Sequence, residues 1–268
     1  MKIITIIENT SLRSDICPEH GLSVYIETEK HKIISDTGAS PLTWQNAKNI
    51  GLDVSKADTV IISHGHFDHA GGLMSLAKIA PQADVYMQKS ALGNFCHGEK
   101  YIGIDPKIRE LPKLHLINGD VKIDDEISLF SDIKGRRLWP QSNIGLTELV
   151  NGEYIQDSFR HEQVLVIRCE EKYLLISGCA HNGILNVLDR FREIYDRDPD
   201  IVISGFHMMK KSDYTDEEIN NIKDTAYELT RMKTRFYTGH CTGQPAFDIM
   251  KEIMGSQLTQ LHSGEAIL

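Results

Sequence analysis

The sequence lacks paired cysteines and long apolar runs. Its five cysteines are scattered and form no CxxC pair, which argues against a disulfide framework or a structural zinc knuckle. No stretch approaches the roughly 20 apolar residues that a membrane-spanning helix needs. We therefore expect a cytoplasmic protein that has no membrane segment.

Positive charge is also scarce. With 29 basic and 38 acidic residues, the formal net charge is −9, which on average repels a phosphate backbone. The charge disfavours nucleic acid as a partner and favours a small-molecule substrate, and the oligomeric state stays open. The densest basic patch contains Lys134, Arg136 and Arg137. It is a weak candidate for holding a substrate phosphate, and a solvated turn is the simpler interpretation.

What the sequence does contain is a recurring order of strands followed by strand–helix alternation, which predicts one α/β domain over residues 1–268. In the first half, strands are predicted at 2–7, 22–28, 32–35 and 59–63, and helices at 42–50 and 73–79. In the second half, strands are predicted at 164–168, 173–177, 201–204, 235–238 and 266–268, and helices at 184–195, 215–233 and 245–254. Residues 89–162 are rich in Gly, Asn, Asp and Pro, which predicts long loops suited to substrate contacts.

The strongest signal is a cluster of potential metal ligands directly after the strand at 59–63. His64, His66, Asp68 and His69 follow one another closely and precede the predicted helix at 73–79. A strand followed by a helix places such side chains at the C-terminal edge of a sheet. Burying three imidazoles together for packing alone would desolvate several polar rings without an obvious gain. The segment therefore predicts a metal site.

The HxHxDH spacing of these residues resembles the defining motif of the metallo-β-lactamase superfamily. The resemblance implies an α/β fold of four layers, the αββα sandwich, built around two divalent metal ions. It implies that His64 and His66 bind the first metal, and that Asp68 and His69 bind the second. Asp36, in a segment that resembles the early aspartate motif of the family, would brace the ligand loop as a hydrogen-bond acceptor. Zinc is favoured by an imidazole-rich set, with iron or manganese as alternatives.

Later segments offer the remaining ligands. His240 follows the strand at 235–238 and resembles the last motif of the superfamily, which implies that it binds the second metal. For the first metal, Cys179, His181 and His161 stay open. Cys179 lies where the superfamily presents a bridging aspartate or, in some lactamases, a cysteine, although a buried unreactive thiol is the commoner fate of such a residue. His181, on the tight loop just beyond, is narrowly favoured over His161.

Two residues are candidates for catalysis, namely Asp68 and His207. His207 ends a predicted strand, where it could contact substrate or donate a proton, and a structural hydrogen-bonded histidine is an equally good interpretation. The other histidines lack metal-like neighbours in sequence and are predicted to be surface or loop residues: His20, His31, His97, His115 and His262.

The segments 178–184, 205–207 and 239–243 resemble the dihydropterin-synthase-like branch of the superfamily. This branch is related to 7,8-dihydropterin-6-methyl-4-(β-D-ribofuranosyl)aminobenzene-5′-phosphate synthase, which implies displacement of a pterin-linked pyrophosphate by an arylamine. The broader expectation is a metal-dependent hydrolase or transferase that acts on a small phosphate- or ester-containing substrate. A phosphodiesterase or nuclease, or a non-catalytic sensor that binds its ligand through the metals, are the alternatives.

Overall fold

The computed structural model describes residues 1–268, which form three β-sheets and six α-helices. The strands are Lys2–Ile7 (β1), Ser23–Glu27 (β2), Lys32–Ser35 (β3), Thr59–Ile61 (β4), Asp84–Gln88 (β5), Phe95–His97 (β6), Lys100–Tyr101 (β7), Leu114–Ile117 (β8), Val121–Lys122 (β9), Ile127–Phe130 (β10), Leu146–Val150 (β11), Glu153–Gln156 (β12), Val164–Cys169 (β13), Lys172–Ser177 (β14), Ile201–Ser204 (β15), Arg235–Thr238 (β16) and Leu258–Gln260 (β17). The helices are Leu42–Asn49 (α1), Phe67–Ala70 (α2), Leu73–Ile79 (α3), Ile184–Tyr195 (α4), Asp216–Thr230 (α5) and Gln244–Met254 (α6). None of them combines the length and the apolar character that crossing a membrane requires.

Two large sheets form the centre of the molecule. The first has the order β1-β2-β3-β4-β5-β8, and the second has the order β17-β16-β15-β14-β13-β10-β9. An apolar layer that includes Ile33 and Ile61 of the first sheet and Leu165 and Ile203 of the second joins their inner faces. The outer face of the first sheet packs against α1 and α3, and that of the second against α4, α5 and α6. The expected four-layer αββα sandwich is therefore confirmed.

Local sequence explains why these elements form. The four residues of β15 are all buried, as expected for a strand covered on both faces. The apolar residues of α4 recur at helical spacing, so that one face of the helix is buried against the second sheet. Helix α5 begins with a capping box, in which the hydroxyl of Thr215 accepts from the backbone of Glu218 and the Glu218 carboxylate accepts from the backbone of Thr215.

Two expectations about the secondary structure were wrong. Residues 89–162 do not form long loops, because they contain seven short strands, four of which make a third sheet of order β12-β11-β6-β7. The predicted strand at 266–268 reduces to an isolated bridge between Ala266 and Ile4, and the C-terminal strand is instead β17, which pairs in parallel with β16. Such short strands, with polar residues among them, carry almost no periodic signal.

The order of the strands determines where the site lies. In the first sheet β3 is parallel to β4, and in the second sheet β14, β15 and β16 are parallel to one another. The C-terminal ends of parallel strands meet at one edge of a sheet, and the loops that follow them can converge there. Those loops carry Asp36, His64, Cys179, His207 and His240.

Candidate metal centre

The structure brings most of the predicted ligands into two adjoining groups. His64, Cys179 and His181 form the first group, and His69, Cys179 and His240 form the second, with the potential ligand atoms of each group within 4.8 Å of one another. All five of these residues are buried. Cys179 belongs to both groups, so its sulfur lies between them.

In the first group, two ring nitrogens face each other. His64 Nε2 lies 3.3 Å from His181 Nε2. The Ser63 hydroxyl donates to Asp36 Oδ2 (2.7 Å), so it can only accept from His64 Nδ1 at 2.8 Å. His181 Nδ1 donates in turn to Asn143 Oδ1 at 2.9 Å. Each ring thus carries its proton on Nδ1, and the two Nε2 atoms face each other with lone pairs.

That geometry fits a cation. Two imidazole lone pairs repel each other at this distance unless a positive charge lies between them. Two nitrogen ligands, each about 2.05 Å from a tetrahedral zinc ion, would lie about 3.3 Å apart. The His66 ring lies 4.7 Å from that of His64 and 4.9 Å from that of His181, and its Nε2 atom is buried without a hydrogen-bond partner. The residues of this group therefore suit a metal ion.

The second group is built around His69. Its Nδ1 donates to Asp36 Oδ2 at 2.7 Å, while its Nε2 lies 3.2 Å from His240 Nε2 and 3.1 Å from the sulfur of Cys179. Asp68 Oδ2 lies 3.3 Å from His240 Nε2 and 3.7 Å from His69 Nε2. One carboxylate oxygen, two ring nitrogens and a sulfur thus converge, a mixed set that divalent zinc, iron and manganese all accept.

Electrostatics distinguish the two groups. Burial holds the pKa of His64 and His181 well below the usual range, lowers that of His66 to about 3, and lowers that of His240 to about 4. Burial also lowers the pKa of His69, but the carboxylates of Asp36 and Asp68 outweigh it and raise the pKa to about 9. The second group therefore favours a positive charge at His69 Nε2, which a proton or a metal ion supplies.

The three candidates for the remaining ligand of the first metal differ in their surroundings. His161 Nδ1 accepts from the backbone of Gly65 at 3.0 Å, and His161 Nε2 donates to Asp157 Oδ2 at 2.9 Å. Both of its ring nitrogens are thus occupied, whereas His181 Nε2 faces His64. Burial raises the pKa of the Cys179 thiol well above its ordinary value, so a thiolate there requires a cation.

His207 lies beside the first group. Its ring centroid is 4.0 Å from that of His181. The Ser142 hydroxyl donates to the His207 carbonyl and therefore accepts from His207 Nδ1 at 2.8 Å, which leaves His207 Nε2 as a hydrogen-bond acceptor. Burial lowers the pKa of His207 to about 3. A neutral ring with a free lone pair is suited to accepting a hydrogen bond rather than to donating a proton.

The basic patch is divided in the structure. Lys134 forms an ion pair with Asp132, and Arg137 with Asp189 and Glu228. Arg136 donates to Asn182 Oδ1 at 3.1 Å, directly beside His181. Of the three residues, Arg136 is therefore the one that the fold links to the centre.

Several residues of the site carried no signal in the sequence. Glu162 is buried and accepts hydrogen bonds from the backbone N–H of His181 at 2.6 Å and of Asn182 at 3.0 Å. It therefore holds the loop that carries His181. Glu8 accepts from the backbone of His240 at 3.1 Å. Both lie far along the chain from the histidines that they hold, and so no local pattern could have revealed them.

His20 corrects an expectation. It was predicted to be a surface or loop residue without metal-like neighbours in sequence, and its side chain is indeed half exposed. Its Nε2 atom nevertheless lies 3.4 Å from Asp68 Oδ2, and its ring centroid is 4.8 Å from that of His240. His20, Asp68 and His240 form a further cluster of potential ligand atoms at the edge of the second group.

Comparisons with known proteins identify the family to which the chain belongs. Residues 18–135 match the model of the metallo-beta-lactamase superfamily. Tm1679, described as a metal-dependent hydrolase of the beta-lactamase superfamily, has a solved structure that superposes with a TM-score of 0.83 at 31% identity, over 100% of this chain and 98% of its own. The chain therefore belongs to the metallo-β-lactamase superfamily.

Two relatives from Methanocaldococcus jannaschii match along nearly the whole sequence. One is 7,8-dihydropterin-6-methyl-4-(beta-D-ribofuranosyl)-aminobenzene-5'-phosphate synthase, which is 27% identical over 305 residues, covering 100% of this chain and 96% of the relative. The other, uncharacterized protein MJ0448, is 26% identical over 260 residues, covering 92% of this chain and 93% of the relative. The resemblance to the synthase is thus a property of the full chain and not of the HxHxDH segment alone.

Proposed function

We propose that the protein is a metal-dependent hydrolase with a dinuclear site, which acts on a small phosphate- or ester-containing substrate. His64, His66 and His181 hold the first metal, and Asp68, His69 and His240 hold the second. Cys179 lies between the two positions as a shared or neighbouring ligand. The preponderance of imidazole favours zinc in both positions.

The pair of His64 and His181 is the observation that carries this proposal. Both rings have their protons fixed on Nδ1 by other residues, and their Nε2 atoms lie 3.3 Å apart in a buried site. A purely structural histidine would instead have a hydrogen-bond partner at both ring nitrogens, as His161 has in the backbone of Gly65 and in Asp157. An arrangement with two opposed lone pairs is costly unless it serves to bind a cation.

The chemistry follows from the residues around the two positions. Two bound divalent cations would lower the pKa of a water molecule, polarise a phosphoryl or carbonyl oxygen and offset developing negative charge. His207 Nε2, as a neutral acceptor, orients a substrate hydroxyl or a water molecule beside the first group. Asp68 supplies negative charge at the second group and accepts a hydrogen bond from a water molecule near the reacting atoms. We assign to Arg136, which contacts Asn182 beside His181, the role of donor to a phosphate oxygen.

Metal content and turnover test the proposal directly. Purified protein loaded with zinc should contain close to two metal ions per chain by elemental analysis, and should hydrolyse p-nitrophenyl phosphate, bis-p-nitrophenyl phosphate or p-nitrophenyl acetate. His66→Ala should lower both the metal content and the rate, whereas His97→Ala, at an exposed histidine on β6, should leave both unchanged. Tight binding of two metals without turnover of any such substrate would support the sensor alternative, and cleavage of DNA or RNA the nuclease alternative.

A second candidate is a transferase that displaces pyrophosphate, supported by the similarity to the synthase over the whole chain. Two cations can stabilise a pyrophosphate leaving group by the same electrostatics that assist hydrolysis. The assay would supply a dihydropterin pyrophosphate ester together with a ribofuranosyl aminobenzene phosphate as nucleophile. Pyrophosphate release that depends on the arylamine would identify the transferase, whereas release that is independent of it would identify the hydrolase.

A further inference from the structure

The two late histidine ligands are held by the same set of contacts, although they lie on different loops. For His181, the backbone N–H donates to Glu162 at 2.6 Å and the ring Nδ1 donates to Asn143 Oδ1 at 2.9 Å. The amide group of Asn143 returns a hydrogen bond to the His181 carbonyl at 2.8 Å. The backbone N–H, the ring Nδ1–H and the carbonyl oxygen of His181 therefore each have a hydrogen-bond partner.

His240 repeats this arrangement with other residues. Its backbone N–H donates to Glu8 at 3.1 Å, its ring Nδ1 lies 3.0 Å from Asn9 Oδ1, and Asn9 Nδ2 donates to its carbonyl at 3.2 Å. One glutamate and one asparagine thus hold each late ligand through the same three groups. The repetition indicates that the ring orientation matters at both positions.

Backbone partners fix which end of each asparagine is the oxygen. Asn9 Oδ1 accepts from the backbone N–H of Gly21 at 3.4 Å, and Asn9 Nδ2 donates to the His240 carbonyl. An N–H can only donate and a carbonyl can only accept, and so the amide cannot be turned around. His240 Nδ1 must therefore carry the proton, and the lone pair of His240 is on Nε2.

Asn9 also contacts a second histidine, which Asn143 does not. Its Nδ2 lies 3.2 Å from Nδ1 of His20 and, being a donor, forces that nitrogen to accept. The proton of neutral His20 is therefore on Nε2, the atom that lies 3.4 Å from Asp68 Oδ2. One amide thus sets opposite tautomers in two histidines whose ring centroids are 4.8 Å apart.

We propose that Asn9 is a positioning residue that fixes a different tautomer, and with it a different role, in each of these two histidines. It leaves His240 Nε2 free to bind the second metal, and it makes His20 Nε2 an N–H donor towards Asp68, another ligand of that metal. His20 is therefore a support for the carboxylate at the edge of the site rather than a further ligand. Asn143 likewise leaves His181 Nε2 free to bind the first metal. The proposal rests on the dinuclear site proposed above.

The experiment measures zinc affinity and ring protonation separately. Stepwise zinc binding is followed by competition with a chelator in the wild type, Asn9→Ala, Asn9→Asp and the matched control Asn143→Ala. Asp68→Ala identifies which binding step belongs to the second metal. Long-range proton–nitrogen correlation spectra of the zinc-loaded, ¹⁵N-labelled protein at about pH 8.5, where an ordinary histidine is neutral, report the tautomer of each ring. His20→Gln assigns the signals of His20.

Asn9→Ala should weaken the step that Asp68→Ala removes by about 10- to 100-fold and leave the other step unchanged, because an outer partner of a metal ligand typically contributes that much. Asn143→Ala should weaken the other step instead. In the wild type, His20 should carry its proton on Nε2. Asn9→Asp keeps an acceptor for His240 Nδ1 but removes the donor to His20, so zinc affinity should largely survive while the proton of His20 moves to Nδ1.

Three results would overturn the proposal. Unchanged zinc affinity in Asn9→Ala, equal weakening of both steps, or a wild-type His20 protonated on Nδ1 would each contradict it while leaving a two-zinc wild type, and with it the proposed function, intact. A wild type that binds fewer than two zinc ions would instead refute the dinuclear site, and the positioning role with it. If Asn9→Ala fails to fold, the tautomer of His20 in the wild type and in Asn9→Asp decides.

Discussion

His64 Nε2 lies 3.3 Å from His181 Nε2, and neither nitrogen carries a proton, because each ring donates from Nδ1 to another residue. The two histidines lie on loops that follow strands of different sheets, and they are 117 positions apart in the sequence. Their opposed lone pairs make the metal-free protein less stable than its packing alone would suggest.

Removal of metal should therefore lower the thermal stability. A ligand that binds only the folded state stabilises it by about 4 kcal/mol at a thousandfold excess over its dissociation constant. Scanning calorimetry of zinc-loaded protein, with and without a chelator, should show a lower melting temperature in the chelated sample. Equal melting temperatures, with zinc removal verified by elemental analysis, would contradict the metal-bridged pair.

Cys179→Ser should change the spectrum of the cobalt-substituted protein. The Cys179 sulfur lies 3.1 Å from His69 Nε2 and belongs to both groups of ligand atoms. A coordinated thiolate produces a ligand-to-metal charge-transfer band in the near ultraviolet, and the substitution should abolish that band. Cys241→Ser is the matched control, since that thiol is also buried but directs its sulfur at the Cys179 carbonyl. A band that persists in Cys179→Ser would remove this residue from the ligand set.

Asp36→Asn should weaken the metal site without disturbing the backbone. The carboxylate of Asp36 accepts from His69 Nδ1, from the backbone of Ser63 and from the Ser63 hydroxyl. Its φ of 58° lies in the left-handed region, which asparagine tolerates well. We expect zinc affinity to fall about 10- to 100-fold. Chelator competition measures the loss, and an affinity equal to that of the wild type would show that the carboxylate is dispensable.

His31→Gln should alter the pH dependence of stability. His31 Nδ1 lies 3.0 Å from Asp58 Oδ1, and His31 Nε2 lies 2.6 Å from Asp124 Oδ2. Burial lowers the pKa of His31, but hydrogen bonds to the two carboxylates outweigh it and raise the pKa above the ordinary value. Because the folded state holds the His31 proton more tightly than the unfolded chain does, the ion pairs of His31 contribute to the free energy of unfolding. That contribution is fully present below about pH 6.5 and is lost as the pH rises through the folded-state pKa of His31.

Denaturant unfolding at several pH values between about 6 and 9 checks this prediction. The difference in unfolding free energy between the wild type and His31→Gln should shrink as the pH rises. His115→Gln serves as the control, because His115 is exposed and contacts one carboxylate, that of Asp84. A difference that is constant or grows with pH would show that the ion pairs do not hold the proton.

The sequence predicted the early part of the site and the fold class, because that information is local or shared within the superfamily. His64, His66, Asp68 and His69 lie in one short segment, and the apolar residues just before them predict a strand. Asp36 was assigned its bracing role by resemblance, and its hydrogen bonds to Ser63 and His69 agree with that role.

The supporting residues could not be predicted, since each meets its partner only after folding. Asn9 and His240 are 231 positions apart, and Asn143 and His181 are 38 apart. Isolated asparagines and glutamates occur throughout any soluble protein, and only the tertiary contacts give them a role. The strands between residues 89 and 162 were missed for a related reason, because short segments with mixed polarity are stabilised by their neighbours more than by their own sequence.

Each proposed metal position takes ligands from the ends of strands in both large sheets, which gives the ions a mechanical role as well as a chemical one. His69 Nε2 and His240 Nε2, 3.2 Å apart in space, are separated by 171 positions of chain. A cross-link over so long a loop restricts the unfolded chain strongly, as a disulfide would. Unlike a disulfide, it opens and closes with the supply of free metal. The two halves of the sandwich would therefore become more firmly joined at the same metal concentration at which the reaction becomes possible.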